Sequence, residues 1–278
     1  MSSGTPFTVK FWGVRGGIPT PDRATRDFGG NTPCVEVRCG EHLLIFDAGT
    51  GMRPFGLALD QSRPIDGDIF FSESRFDHAC GLPFFGPGYN PNNSFTIWAG
   101  HLPDDRGIQT ELNEMMTSPL FPIPLHFIGG LKTFSDFSAG DRLTPRPGIT
   151  ITTARLKNPN GATGYRIEFD GRVLAYIGNT AHEPGNASDA VINLMRDADL
   201  AIYDSFYNDD ELSGGARALA HSTWQEGTRL LKASGAKALA TFQHHPNHDD
   251  AQLRDEQAAL EKIAPGSVVA YEGLKLSL

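Results

Sequence analysis

Short apolar runs of β-type composition alternate with helical stretches along the chain, and this scheme occurs twice. In the first half, strand-like runs bounded by Gly, Pro, Asp or Asn precede one helical stretch: FTVKFWGV, CVEVRCG, HLLIFDAG, DIFFSES, FTIWAG, then IQTELNEMM. The second half opens with a hairpin predicted to turn on Asp170 and Gly171, and it continues with a helix for which Ser188 is the predicted N-cap. Its later segments are LAIYDSFY, STWQEGTRLLKASG, ALATFQHH, DDAQLRDEQAALEKIA and SVVAYEGLKLSL. This order predicts an α/β protein in which two β-sheets pack face to face with helices outside, an αββα sandwich.

The length and composition suit a globular protein with a substantial core. Of 278 residues, 39% are hydrophobic, and no low-complexity linker interrupts the pattern. We therefore predict one domain over residues 1–278. Residues 103–147, rich in Pro, Gly and Phe, are predicted to form an insertion that covers one edge of the functional site.

Net charge and targeting signals limit the partners. A net charge of −9 without a basic run disfavours general binding to nucleic acid or to an anionic membrane. Three cysteines are too few for a disulfide framework, which favours thiols in a reducing compartment. The N-terminal residues show no secretory pattern, and no run is long enough to span a bilayer. We expect a cytoplasmic protein, and a homodimer stays open.

A cluster of polar residues follows the apolar run DIFF in the stretch DIFFSESRFDHACGLPFFGP. Glu73, Arg75 and Asp77 are two positions apart and share one face while the backbone is extended, and His78 opens a predicted helix. Ligands collect at the carboxyl ends of strands in α/β sheets. This stretch is either a functional site or a solvated turn with an internal Glu73–Arg75 ion pair.

The rest of the chain resembles one branch of the metallo-β-lactamase-fold superfamily. The segments that carry the resemblance occur in the family's order: KFWGVRGGIPTP, GGNTPCVEV, LLIFDAGTGMR, DIFFSESRFDHACGLPFF, NPNGATGYRIE, YIGNTAH, LAIYDSFY, AHSTW and TFQHHPNHDD. The branch looks like the phosphodiesterases of the fold, which include tRNA 3′-end processing nucleases and cyclic-nucleotide phosphodiesterases. The resemblance runs from about Lys10 to Asp250 and implies the αββα fold.

The metal ligands that the resemblance implies are largely replaced. Of the family's seven ligand positions, only Asp77 and His78 are unchanged, and the substituted ones are Glu73, Arg75, Asn158, Asn179 and Gln243. Arg75 introduces a permanent positive charge, and amide oxygens are poor donors to zinc. From this loss we expect no metal cofactor and a protein that is not an enzyme.

Two further residues match the family. Asp204 and His221 correspond to a carboxylate–histidine pair that the related nucleases use to assist proton transfer. A carboxylate fixes the tautomer of an imidazole and raises its basicity. The alternative is that the two side chains simply satisfy each other in a polar pocket.

Weaker signals complete the candidate set. Arg15 and Asn31 lie in Gly-rich loops after strands, where a backbone approaches a ligand closely. His182 could line the rim, whereas Asp47 is predicted to cap a turn. His244 follows the substituted ligand position 243. Three histidines are predicted to be incidental: His42, His101 and His126.

Three functions remain open, and the favoured one is a binding protein. It would sense a phosphate-containing small molecule, such as a cyclic mono- or dinucleotide, without hydrolysis. Its ligand would contact Arg15, Asn31, Glu73, Arg75, Asp77, His78, Asn158, Asn179, His182, Gln243 and His244. Counting Glu73, Asp77 and Asp204 against Arg75 and Arg15 leaves a charge of −1.

The first alternative is a metal-dependent phosphodiesterase with a rearranged mononuclear site. Glu73, Asp77, His78 and Asp204, with His244, would hold a single Mn²⁺, Mg²⁺ or Zn²⁺. The second alternative is a structural partner in an oligomer whose pocket is vestigial.

Overall fold

A computed structural model describes residues 5–213 and 220–278 of the chain; the first four residues of the N-terminal stretch lie outside them. The strands are β1 Phe7–Gly13, β2 Cys34–Cys39, β3 His42–Phe46, β4 Asp66–Phe71, β5 Ser94–Ala99, β6 Leu131–Asp136, β7 Arg142–Leu143, β8 Ile149–Leu156, β9 Ala162–Phe169, β10 Arg172–Ile177, β11 Leu200–Asp204, β12 Leu239–Phe242, β13 Val268–Val269 and β14 Lys275–Ser277. The helices are α1 Met52–Ala58, α2 Phe76–Ala79, α3 Ile108–Met115, α4 Asp189–Met195, α5 Asp209–Ser213, α6 Trp224–Ser234 and α7 Asp250–Ile263.

These strands form two mixed sheets. The order is β14-β1-β2-β3-β4-β5-β6 in the first sheet and β13-β12-β11-β10-β9-β8-β7 in the second. In the first sheet β3 to β6 are parallel neighbours, and in the second β10 to β13 are. The predicted αββα sandwich is therefore confirmed.

Apolar side chains fill the space between the sheets and the space under the helices. Phe46 and Phe70 of the first sheet stack with ring centroids 5.3 Å apart, and both pack against Tyr165 of the second. Separate buried clusters join the outer faces of the sheets to α1 and α3 on one side and to α4, α6 and α7 on the other. Strands buried on both faces explain why LLIF and DIFF read as continuous apolar runs.

Local signals in the sequence correspond to the observed turns and caps. Asp170 and Gly171 join β9 to β10, and both have positive φ, as a tight hairpin turn requires. The Ser188 hydroxyl accepts from the backbone N–H of Val191 at the start of α4. Both local predictions are confirmed. In the part of the chain that the structure describes, no helix combines the length and apolar character needed to cross a membrane.

Residues 103–147, predicted as an insertion, contribute strands to both sheets. They include α3, and they supply β6, which pairs with β5, and β7, which pairs with β8. This segment thus provides one edge strand of each sheet. The apolar face of α3 is buried through Ile108 and Leu112, and this burial anchors the segment to the first sheet.

Candidate active site

The candidate site lies where the parallel strands of both sheets end. Asp47 follows β3, residues 72–78 follow β4, and Asn179, Asp204 and Gln243 stand at the ends of β10, β11 and β12. Carboxyl ends of parallel strands meet at one edge of a sheet, so residues far apart in the sequence converge there. Hydrogen bonds between Asn179 and Glu73, and between Gln243 and His78, join the ends of the two sheets.

His78 stands at the centre of the site and is fully buried. Its Nδ1 lies 3.0 Å from Asp47 Oδ2, and this carboxylate also accepts hydrogen bonds from Ser72 Oγ at 2.7 Å and Tyr176 Oη at 2.6 Å. A carboxylate at Nδ1 keeps the proton there and turns Nε2 towards the site, which is how metal-binding histidines are oriented in proteins. Asp47 is therefore a positioning residue, and its carboxylate bonds to Ser72, Tyr176 and His78 instead of capping the turn that follows it, which is what the sequence predicted.

Three buried ligand atoms surround one point beside His78. The Nε2 of His78 lies 3.1 Å from Glu73 Oε1 and 3.7 Å from Asp77 Oδ2, and one ligand atom from each residue falls within 4.8 Å of the others. Gln243 Nε2 lies 2.7 Å from His78 Nε2, while Gln243 Oε1 is buried and unpartnered among residues 5–213 and 220–278. Because amide oxygen and nitrogen can exchange by rotation, Gln243 can offer an oxygen to the same point. These residues fit one divalent cation.

Electrostatic coupling within this cluster is strong. Burial lowers the pKa of His78, but Asp47, Asp77 and Glu73 outweigh burial and raise this pKa well above its ordinary value. Burial raises the pKa of Asp77, but His78 and Arg75 outweigh it, and this pKa falls below its usual range. The carboxylates around His78 thus favour the positively charged form of its imidazole.

Two residues that contact His78 have an unusual backbone. Asp47 has φ of 59° and Gln243 has φ of 63°, both in the left-handed region that side chains other than glycine rarely adopt. Such conformations cost roughly 1–3 kcal/mol each and persist where the surroundings enforce them. The fold holds both side chains against His78 at this energetic cost.

Arg75 lies at the open side of the cluster. Its Nε and Nη2 donate to the two carboxylate oxygens of Asp77 at 2.7 and 3.1 Å, and Nη2 lies 3.5 Å from Glu73 Oε1. The Arg75 side chain is 28% exposed, whereas Glu73 and Asp77 are buried. The guanidinium therefore neutralises the carboxylates and still reaches solvent.

Two amides hold Glu73 from the other side. Asn158 Nδ2 donates to Glu73 Oε2 at 3.1 Å and to Asn179 Oδ1 at 3.2 Å, and Asn179 Nδ2 donates to Glu73 Oε1. These contacts fix the carboxylate orientation. The amide groups of Asn158 and Asn179 act as hydrogen-bond donors in these contacts. The ligand that this side of the site offers to a cation is therefore the Glu73 carboxylate.

Asp204 and His221 form a buried pair next to Arg75. Asp204 Oδ2 lies 3.0 Å from His221 Nδ1 and accepts the backbone N–H of Thr180 at 2.9 Å. The imidazole of His221 stacks on Phe206 with centroids 4.0 Å apart, and its Nε2 lies 3.3 Å from Arg75 Nη1. His221 Nε2 is therefore directed at the cluster and can carry a proton to or from a bound molecule.

The charge of the site is more negative than the sequence count of −1. Asp47, Glu73, Asp77 and Asp204 are each at most 2% exposed. Among residues 5–213 and 220–278, the cation counted with them is the guanidinium of Arg75, which gives −3 with neutral imidazoles. Arg15 does not contribute, because its buried guanidinium donates to the carbonyl oxygens of Gly29 at 2.7 Å and His248 at 2.5 Å. A site of this charge favours a cation over a free anion.

Other predicted site residues lie outside the cluster. Asn31 hydrogen-bonds Glu272 through its backbone and its side chain. His182 Nδ1 contacts the Ser222 hydroxyl at 2.8 Å, and His244 Nε2 contacts the carbonyl oxygen of Ala270 at 2.8 Å. The structure therefore brings together the predicted site residues that follow β4 and five from later in the chain: Glu73, Arg75, Asp77, His78, Asn158, Asn179, Asp204, His221 and Gln243. It places Arg15, Asn31, His182 and His244 outside this cluster.

The fold and the site together define an αββα protein with a buried cluster of carboxylates and an imidazole where the strands end. The profile described as "Beta-lactamase superfamily domain" matches residues 42–245, and the chain belongs to this family. Ribonuclease Z of Haloarcula marismortui is 24% identical over 84% of each chain. The resemblance inferred from the sequence segments is confirmed.

Solved structures repeat the fold at low identity. A diphosphatase from the PhnP family has a TM-score of 0.69 at 17% identity and covers 98% of this chain and 97% of its own. Human tRNase Z, short form, has a TM-score of 0.67 at 20% identity and covers 97% of this chain and 98% of its own.

Two expectations from the sequence are wrong. The expectation of a protein that is not an enzyme is contradicted by these relatives, several of which are ribonuclease Z proteins along most of the chain. The expectation of no cofactor is contradicted by the family match together with the buried group of Glu73, Asp77 and His78. Both expectations counted the family's metal ligands that are replaced in this chain. They did not include the negative charge of the buried carboxylates that the fold brings together beside His78.

Proposed function

We propose that the chain is a metal-dependent hydrolase that cleaves a phosphodiester at a rearranged site for one divalent cation. The observation that carries the proposal is the buried group of Glu73, Asp77 and His78, whose ligand atoms lie within 4.8 Å of one another, with the buried carboxylates of Asp47 and Asp204 close by. A cation bound there would polarise a phosphoryl oxygen and lower the pKa of a water molecule. Carboxylate, imidazole and amide ligands suit Mn²⁺ and related divalent ions.

The chain's own residues supply the other functions. Arg75, paired with Asp77 and partly exposed, is placed to bind a phosphate oxygen through its remaining N–H groups. His221, oriented by Asp204 through Nδ1, presents Nε2 as a proton acceptor, which would take a proton from a bound water molecule and pass it to the leaving oxygen. Asp47 keeps His78 Nε2 directed at the cation.

We further propose a small phosphodiester as the substrate. The net charge of −9 opposes the backbone of a long RNA. Ile18 follows Gly17, whose backbone N–H donates to Asp77 Oδ2 at 2.7 Å, and Phe76 precedes Asp77; both side chains are exposed and apolar instead of basic. Apolar side chains at these positions suit the organic part of a small diester.

Turnover of bis(p-nitrophenyl) phosphate with added Mn²⁺, Zn²⁺ or Mg²⁺ tests the proposal. We expect cation-dependent hydrolysis in the wild type and its loss in Asp77→Asn, while Asp105→Asn, a change at an exposed carboxylate, has no effect. Absence of cation-stimulated turnover of any diester would refute the function. Faster cleavage of a tRNA 3′ trailer than of small diesters would refute the substrate size.

A further inference from the structure

His101 is a buried histidine without a hydrogen-bond partner. It follows β5, and the residue is 2% exposed. Among residues 5–213 and 220–278, neither ring nitrogen of His101 has a partner. Buried polar atoms are nearly always paired, so an unpaired imidazole at this depth requires a group that the protein chain itself does not supply.

The position of His101 is level with that of Glu73. Strands β4 and β5 are parallel neighbours in which Phe71 pairs with Ala99, and Glu73 and His101 each lie two residues further along. Neighbouring strands are about 4.8 Å apart, and residues two apart share a face while the chain is extended. His101 and Glu73 therefore leave adjacent strands at the same edge, next to the cation cluster.

The loop that carries Asn158 closes over His101. Gly161 donates to the carbonyl oxygen of Asn158 at 3.1 Å, and a Cβ at Gly161 would lie 2.5 Å from the His101 carbonyl oxygen. Asn158 in turn donates to Glu73 at 3.1 Å. Since Gly161 has φ of 83° and no room for a side chain, the chain is built to bring this loop onto His101 and Glu73 together.

The imidazole of His101 is in the form that binds metals. Burial lowers the pKa of His101 to about 4, although Glu73 and Asp47 act in the opposite direction. The ring is therefore neutral at physiological pH, with one nitrogen lone pair available. A neutral imidazole is the form in which histidine coordinates metal ions.

We infer that His101 is a further ligand of the cation and enters the site beside Glu73. The inference rests on the proposed cation site. His101 is not part of the group within 4.8 Å, so coordination by His101 would require its ring to turn towards Glu73. Two carboxylates, two imidazoles and an amide oxygen form a mixed nitrogen and oxygen set, which favours Mn²⁺, Fe²⁺, Co²⁺ or Zn²⁺ over Mg²⁺.

Electron paramagnetic resonance of bound Mn²⁺ tests this inference directly. Titration gives the affinity, and electron spin-echo envelope modulation reports the imidazole nitrogens that couple to the ion. We expect two coupled imidazoles in the wild type, one in His101→Phe, and an affinity at least ~10-fold weaker in the variant. His126→Phe, a change at an exposed histidine, is the matched control and should leave both readouts unchanged.

The outcomes separate this inference from the proposed function. Mn²⁺ binding with equal affinity and equal nitrogen coupling in wild type and His101→Phe overturns the role of His101 and leaves the cation site intact. Such a result would mean that a buried water satisfies the ring. No Mn²⁺ binding in the wild type overturns both proposals. Thermal unfolding verifies the fold of His101→Phe, and His101→Gln, which keeps a polar side chain, replaces it if the first variant unfolds.

Discussion

Asp47 Oδ2 lies 3.0 Å from Nδ1 of His78, and both residues are fully buried, Asp47 directly after β3 and His78 in α2, the helix that follows β4. The pair determines which nitrogen of His78 faces Glu73 and Asp77. Its geometry requires the left-handed backbone of Asp47, whose φ is 59°. The orientation of the proposed cation ligand thus depends on a residue that does not itself reach the cluster.

Substitution of Asp47 should weaken cation binding. In Asp47→Asn the carboxylate that holds the Nδ1 proton is lost, so the tautomer with Nε2 free is no longer favoured. Loss of such a partner commonly reduces metal affinity by about 10–100-fold. Isothermal titration with Mn²⁺ measures the change, and Asp105→Asn serves as control. Unchanged affinity in Asp47→Asn would contradict the positioning role.

Removal of Arg75 should destabilise the cation-free protein. Asp77 and Glu73 are 2% exposed, so Arg75→Ala leaves their charge poorly compensated. Because the Arg75 side chain is 28% exposed, we expect a loss of about 1–3 kcal/mol, between the values for exposed and buried pairs. Chemical unfolding measures it, and Mn²⁺ should restore part of the stability by supplying positive charge.

A surface ion pair provides the comparison for Arg75. Arg38 pairs with Glu36 at 2.8 Å, and their side chains are 34% and 14% exposed. Arg38→Ala should therefore cost at most about 1 kcal/mol and should not respond to Mn²⁺. Equal losses in the two variants would show that Arg75 is an ordinary surface residue.

His221 should act on the leaving group. His221→Gln removes the imidazole that would pass a proton to the leaving oxygen, so we expect kcat to fall by about 10²–10⁴-fold with little change in KM. The defect should be larger for phenyl esters than for p-nitrophenyl esters, since p-nitrophenolate leaves without protonation. His182→Gln is the control, because His182 contacts Ser222 and not the cluster. A defect independent of the leaving group would rule out this role.

Stability should fall with rising pH because of Glu256. Burial raises the pKa of this carboxyl to about 8 from an ordinary value of 4.5, even though Thr241 Oγ1 donates to it at 2.8 Å. Between these pH values the folded state binds the proton and the unfolded state does not. The free energy of unfolding therefore decreases by up to roughly 1.4 kcal/mol per pH unit through this window.

Glu256→Gln should remove that dependence. The variant should match the wild type in the free energy of unfolding near pH 5, where the folded carboxyl is already neutral. It should exceed the wild type at pH 9, where the wild type must bury a charge or lose contacts. Urea unfolding at the two pH values measures both differences. A wild type less stable than the variant at pH 5 but not at pH 9 would reverse the sign and contradict the assignment.

The sequence by itself determined the fold and the position of the central part of the site. Apolar runs bounded by turn residues predicted the strands, and the alternation predicted the two sheets. The placement of Glu73, Arg75, Asp77 and His78 after β4 followed from local spacing. These features depend on neighbours within a few residues, which a sequence displays directly.

Only the tertiary structure decided which side chains meet and what charge they share. Asn179 reaches Glu73 across 106 residues, whereas His244 turns away to Ala270 because Gln243, with φ of 63°, takes the inward position. Arg15 bonds to carbonyl oxygens and Asp47 joins the site instead, so the charge counted among residues 5–213 and 220–278 changes from −1 to −3. Local spacing does not encode such contacts, because they form only when the two sheets pack against each other. The negative charge that this packing concentrates is the reason why we propose a cation-dependent hydrolase and not an anion sensor.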